Sequence, residues 1–118
     1  MNLAELFRHE TDLIELSAGQ TLFREGEQDD TMYVLMSGAA LIVVHDRVVE
    51  TAEAGAIIGE MGMIDEGPRS ATVVAKTDCK FVHIDRKRFN FLIQHTPNFA
   101  LHVMRVIADR LRRTDSIL

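Results

Sequence analysis

The sequence has one cysteine, Cys79, so no disulfide can form within the chain, and a reducing cytoplasm suits it best. No apolar run approaches membrane-spanning length. The first ten residues carry three charges of mixed sign and no apolar core of a signal peptide, so none is expected there. Neither sign of charge dominates strongly. Thirteen Lys and Arg against eighteen Asp and Glu leave a net charge of −5, which argues against nonspecific binding to nucleic acid or to an anionic membrane. A local basic group is still able to hold an anion. No repeat, linker or low-complexity stretch is present. The five histidines, His9, His45, His83, His95 and His102, make no familiar metal motif. His45 and His83 read as structural or surface residues. A His-x-His strand motif is missing, which excludes a cupin enzyme. Ser17, Ser37, Ser70 and Ser116 have no visible base partner, and Cys79 has no neighbouring His. The chain reads as a binding protein, not an enzyme, with no metal and no tightly held cofactor.

What is present is a chain of 118 residues, the size of one compact domain. Residues 1–11 predict an N-terminal helix, with Leu3, Leu6 and Phe7 on one face over residues 2–10. From residue 12 to 85 the texture is β. Short strands are expected at 13–16, 21–23, 32–36, 40–45, 47–52, 71–76 and 80–84, separated by Gly, Asp and Glu turns. Many short strands at even spacing predict a sandwich, barrel or jelly roll. Residues 60–64 break this texture with a Met-rich helical turn. Residues 86–118 turn helical. Asp85 is placed to cap a helix over 86–94 that buries Phe89, Leu92 and Ile93. Thr96-Pro97 opens a last helix to about residue 116. That helix carries two stripes. Phe99, Val103 and Val106 fit packing on the strands. Ala100, Met104, Ile107, Leu111, Thr114 and Leu118 alternate steps of four and three, the spacing of a homodimer seam. A single helix buried on one side of its own domain is the plainer alternative. The six methionines read as gap fillers in the core or the seam.

The informative stretch is residues 59–72, Gly-Glu-Met-Gly-Met-Ile-Asp-Glu-Gly-Pro-Arg-Ser-Ala-Thr. A glycine precedes a one-turn helix, Gly67-Pro68 stops it, and Arg69 precedes a new strand. The helix start aims unpaired N–H groups at one spot, which suits an anion. Gly59 permits close approach of a ligand to the backbone. Arg69 offers a planar fork to two phosphate oxygens, with the Ser70 hydroxyl beside it. Glu60 accepts hydrogen bonds from a sugar hydroxyl, and Ala71 is small enough to leave its N–H accessible. Each of these residues has a plainer explanation alone: a solvated Arg, a helix-dipole Glu, a Pro turn. Their order and spacing carry the argument.

Residues 59–72 resemble the phosphate-binding cassette of the cyclic nucleotide-binding domain family, G-E-[LIM]-[AG]-L-x-x-x-x-P-R-[AST]-A-[TS]. The departure is Met63 where Leu is usual. Upstream, the run from Gly19 to Glu27, then Met32-Tyr33-Val34, Gly38 and Gly55, resembles the family's glycine-turn strands. The similarity covers nearly the whole chain and is closest to the sensor domain of catabolite activator-like bacterial regulators. It implies a mainly β, α+β fold: an antiparallel β-roll with a short N-terminal helix, a one-turn cassette helix and two C-terminal helices, as one domain over 1–118. It implies that Arg69 pairs with the cyclic phosphate and that Glu60 holds the ribose 2′-hydroxyl. Gly59, Ser70 and Ala71 complete those contacts, and Met61, Ile58 and Val73 neighbour the pocket. In activator-like members the last helix also reaches the base, and Arg110 and Thr114 fall at those positions.

The expected function is a cytoplasmic sensor of cAMP or cGMP, with cAMP favoured by the nearest resemblance. Binding would shift the C-terminal helices and alter a homodimer surface or the surface for a protein partner. Two alternatives accompany it: a nucleotide-free roll serving as an interaction or dimerisation module, and the sensor half of a DNA-binding regulator. The chain stops after the long helix without a helix-turn-helix, so direct nucleic-acid binding is not expected. Met1 favours a natural start.

Overall fold

A computed structural model describes residues 1–117, with side chains through Arg113. Eight strands form two four-stranded antiparallel sheets. They are β1 (Leu13–Leu16), β2 (Thr21–Phe23), β3 (Met32–Ser37), β4 (Ala40–Val44), β5 (Arg47–Ala52), β6 (Ile57–Ile58), β7 (Thr72–Ala75) and β8 (Cys79–Ile84). One sheet runs β1-β8-β3-β6 and the other β2-β7-β4-β5. Four helices flank them: α1 (Leu3–Leu6), α2 (Met61–Ile64), α3 (Arg86–His95) and α4 (Pro97–Ile117). The fold is the antiparallel β-roll with flanking helices that the sequence predicts. Among the described residues no helix is long and apolar enough to cross a membrane.

The sheet β1-β8-β3-β6 is a wall with both faces covered. Successive side chains of a strand point to opposite faces. Met32 and Val34 of β3 therefore join a cluster under the helices, with Val82, Ile84, Phe89, Phe99 and Val103. Tyr33 and Leu35 join a second cluster between the sheets, with Phe23, Ile58, Val73 and Phe81. Burial on both sides explains why β3 reads as a continuous apolar run instead of an alternation. Cys79 lies sealed in the second cluster, its thiol donating to the Ala39 and Thr77 carbonyls at 3.2 Å each.

Some elements depart from expectation. β6 is two residues long and leaves no period to read, yet it pairs Ile58 with Tyr33 and Ile57 with Val34. The N-terminal helix is four residues, not nine. After Leu6 the chain tightens: Arg8 N–H bonds the Glu5 carbonyl and Glu10 N–H the Phe7 carbonyl, three residues back instead of four. Leu6 is exposed while Leu3 and Phe7 are buried. In α3, Asp85 caps as expected, its Oδ1 accepting from Arg88 N–H at 2.8 Å. Phe89 and Leu92 take the core face, and Ile93 is left on the flank, 38% exposed. On α4, Phe99 and Val103 are buried and Val106 packs on the same cluster. The expected seam divides. Ile107 packs on the chain's own core, whereas Met104 and Leu111 are exposed. The Thr114 side chain and Leu118 lie outside the described residues.

Candidate functional site

The cassette hangs between β6 and β7. Gly59 ends β6 at φ +78°, a left-handed conformation that glycine adopts without penalty. A Cβ there would stand 2.6 Å from Arg69 Nη1, so a side chain at this position would displace the guanidinium. The N-cap Glu60 opens α2, and Gly62 lets that turn lie against the β2–β3 loop: a Cβ on it would stand 2.8 Å from the Asp29 carbonyl. Arg86, first in α3, holds the other end, its guanidinium donating to the Met63 and Gly62 carbonyls at 3.2 and 3.4 Å and to Asp30 at 3.3 Å.

The backbone of Arg69 is clamped to the β2–β3 loop. Its carbonyl accepts from Gly26 N–H and its N–H donates to the Glu27 carbonyl, both at 2.8 Å. Its side chain turns inward and is 2% exposed. Nη2 donates to the Thr31 carbonyl at 2.6 Å and lies 3.4 Å from the Asp29 carboxylate, and Nη1 donates to the Gly59 carbonyl at 3.3 Å. The guanidinium carbon stands 4.0 Å over the Phe23 ring. Buried Nε has no hydrogen-bond partner among the described residues. Burial pushes the Asp29 carboxyl upward, but the Thr31 N–H and the Arg69 charge outweigh it and hold it below the ordinary value. Burial, followed by Asp29, raises the Tyr33 phenol.

Glu60 is 2% exposed and pairs with Arg110 of α4. Arg110 also takes both oxygens of Glu50 on β5 at 3.2 Å, and the Ile57 carbonyl at 2.8 Å. Burial pulls the Arg110 guanidinium down, but Glu50 and Glu60 together hold it above its ordinary value. Glu60 and Arg69 are the two buried charged residues among those described.

The structure thus brings Gly59, Glu60, Arg69 and Arg110 into one region. Ile58 and Val73 are buried beside it, Ala71 is half-buried, and Met61 and Ser70 are exposed. The Thr114 side chain lies outside the described residues. A cleft of about 310 Å³ is lined by Gln28, Asp29, Asp30, Gly62, Glu66 and Arg86. Arg69 is not among its lining residues, so its fork is presented inward and not to that cleft. Sequence reasoning missed Phe23, Asp29, Thr31 and Arg86, whose contacts to the cassette are made only by the fold, and Glu50, which reaches it through Arg110. Among the described residues no three His, Cys, Asp or Glu side chains are grouped to hold a metal.

One buried cation and one buried anion thus stand on either side of a Gly-Glu…Pro-Arg turn in a β-roll. Residues 13–96 match the model of the cyclic nucleotide-binding domain. The chain belongs to that family. It is 34% identical over 100 residues to the cAMP-activated global transcriptional regulator CRP of Pasteurella multocida, which covers 80% of this chain and 48% of that protein. The chain therefore spans about half the length of that relative. Its fold superposes on the catabolite activator protein of Thermus thermophilus with a TM-score of 0.80 at 27% identity, covering 93% of this chain and 59% of that one. It also superposes on a protein from a cyclic-GMP-dependent signalling pathway of bacterial phytopathogenesis, with a TM-score of 0.80 at 26% identity, covering 96% and 95%.

Proposed function

We propose that this chain is a cytoplasmic sensor that binds a cyclic nucleotide, cAMP in preference to cGMP, in the cassette of residues 59–72. Arg69 takes the cyclic phosphate and Glu60 the ribose 2′-hydroxyl. Gly59, Ser70 and Ala71 complete those contacts, Ile58, Met61 and Val73 flank them, and Arg110 and Thr114 lie on the base side. The observation that carries this reading is the unpaired Nε of Arg69. A buried donor without an acceptor costs about 1–3 kcal/mol, and a phosphate oxygen would supply one to Nε. An incoming phosphate exchanges for Asp29, which is 43% exposed and already an anion at this guanidinium. That exchange moves the β2–β3 loop and the cassette together. The Glu60–Arg110 pair carries the movement to α4 and to a dimer surface there. A ligand moves such an equilibrium only by its differential affinity for the two arrangements. The preference for cAMP rests on the likeness to the cAMP-activated regulator.

Thermal melts with each nucleotide test the proposal. Free ligand at one hundred times Kd stabilises by about 2.7 kcal/mol. Arg69→Ala removes the charge-assisted pair and abolishes most of that gain. Unchanged melts with cAMP and with cGMP at millimolar concentration defeat the reading. The inward pose of Arg69 favours a second reading, a nucleotide-free roll that docks a protein, and those same unchanged melts are its expected result.

A further inference from the structure

We infer that Glu50, outside the cassette, is a positioning residue that sets how Glu60 meets the sugar of the ligand, acting through Arg110. The inference rests on the sugar role proposed above for Glu60.

β5 is an edge strand with Val48 and Val49 exposed, Glu50 half-buried and Ala52 in the core. Residues two apart share a strand face, so Glu50 stands on the inward face with Ala52. A carboxylate turned inward requires a cation. α4 supplies it edge-on. Arg110 Nε donates to Glu50 Oε1 and Nη2 to Oε2, each at 3.2 Å. Nη2 also donates to the Ile57 carbonyl at 2.8 Å, and Arg113 stands 3.4 Å from Glu50 Oε1. Two parallel bonds fix the plane of a guanidinium. With that edge committed to Glu50, Arg110 meets Glu60 through Nη1, at Oε1. The other oxygen of Glu60 is the one left to accept a hydroxyl. Among the described residues Glu60 is then the carboxylate still on Arg110, so without Glu50 the two-donor edge turns to both of its oxygens. The sugar hydroxyl then loses its acceptor.

A purely electrostatic role predicts the opposite sign. Glu50 and the cyclic phosphate are both negative, so removing the charge tightens every cyclic phosphate alike, whatever its sugar. The two roles separate on the 2′-hydroxyl. Purified wild type and Glu50→Gln are titrated calorimetrically with cAMP and with 2′-deoxy-cAMP, after circular dichroism confirms the fold. The expected result is a roughly tenfold loss of cAMP affinity, the size of one charge-assisted hydrogen bond. Affinity for 2′-deoxy-cAMP stays within about twofold, because that ligand makes no bond through Glu60. Glu50→Asp keeps the charge but shortens the reach, and gives the same selective loss; it also serves where the amide variant does not fold. Equal shifts for both ligands, or none for either, overturn the role of Glu50. Wild type that binds neither nucleotide instead overturns nucleotide binding itself, and wild type that binds both equally overturns the sugar role of Glu60.

Discussion

Asp29 is the residue through which acid reaches the candidate site. Its carboxyl ionises more readily in the fold than in the unfolded chain, because the Thr31 N–H and Arg69 outweigh its partial burial. A lowered folded pKa contributes stability that is complete above the unfolded value, about 3.9. That contribution fades as pH falls through the lower folded value. Comparing wild type with Asp29→Asn by circular dichroism, the stability difference should be constant at neutral pH and shrink below about pH 4. A difference that persists unchanged at pH 2.5 removes ionic pairing as its cause. This residue also marks how far the sequence could be read. The burial of Glu60 and Arg69 falls on two residues that were singled out by a contiguous motif. Thr31, 38 residues from Arg69, and Glu50, 60 residues from Arg110, were not. Their contacts depend on strand order and on where α4 crosses, and neither leaves a local pattern.

Gly59 shows what the cassette demands as an element. Gly59→Ala forces a side chain into φ +78° and against Arg69 Nη1. The expected cost is about 1–3 kcal/mol of unfolding free energy, measured by urea denaturation. An alanine variant as stable as wild type means that the turn relaxes at no cost. The longer elements were legible from period and punctuation: Asp85 before α3, Pro97 at the start of α4, turn residues between strands. β6 was hidden because two residues hold no period. α1 was overdrawn because an apolar face does not reveal that the chain tightens after one turn. Ile93 was misplaced because Phe89 and Leu92 already fill the face that α3 presents.

For the whole molecule, the proposed dimer surface is the outer face of α4. Met104 and Leu111 are 61% and 60% exposed, one heptad apart, while Ile107 between them is spent on the chain's own core. If two copies pair as proposed, Met104 and Leu111 are the exposed apolar residues of α4 that would meet. Sedimentation at tens of micromolar should give a dimer, and Met104→Glu with Leu111→Glu a monomer of unchanged circular dichroism. A wild-type monomer across that range removes α4 as the dimer surface. The sheet that holds β3 has a further consequence. It is a party wall between two rooms, one furnished by helices and one by the opposite sheet. The C-terminal helices therefore rest on Met32, Val34, Val82 and Ile84, while the opposite sheet rests on Tyr33, Leu35 and Phe81, and the two sets share no side chain.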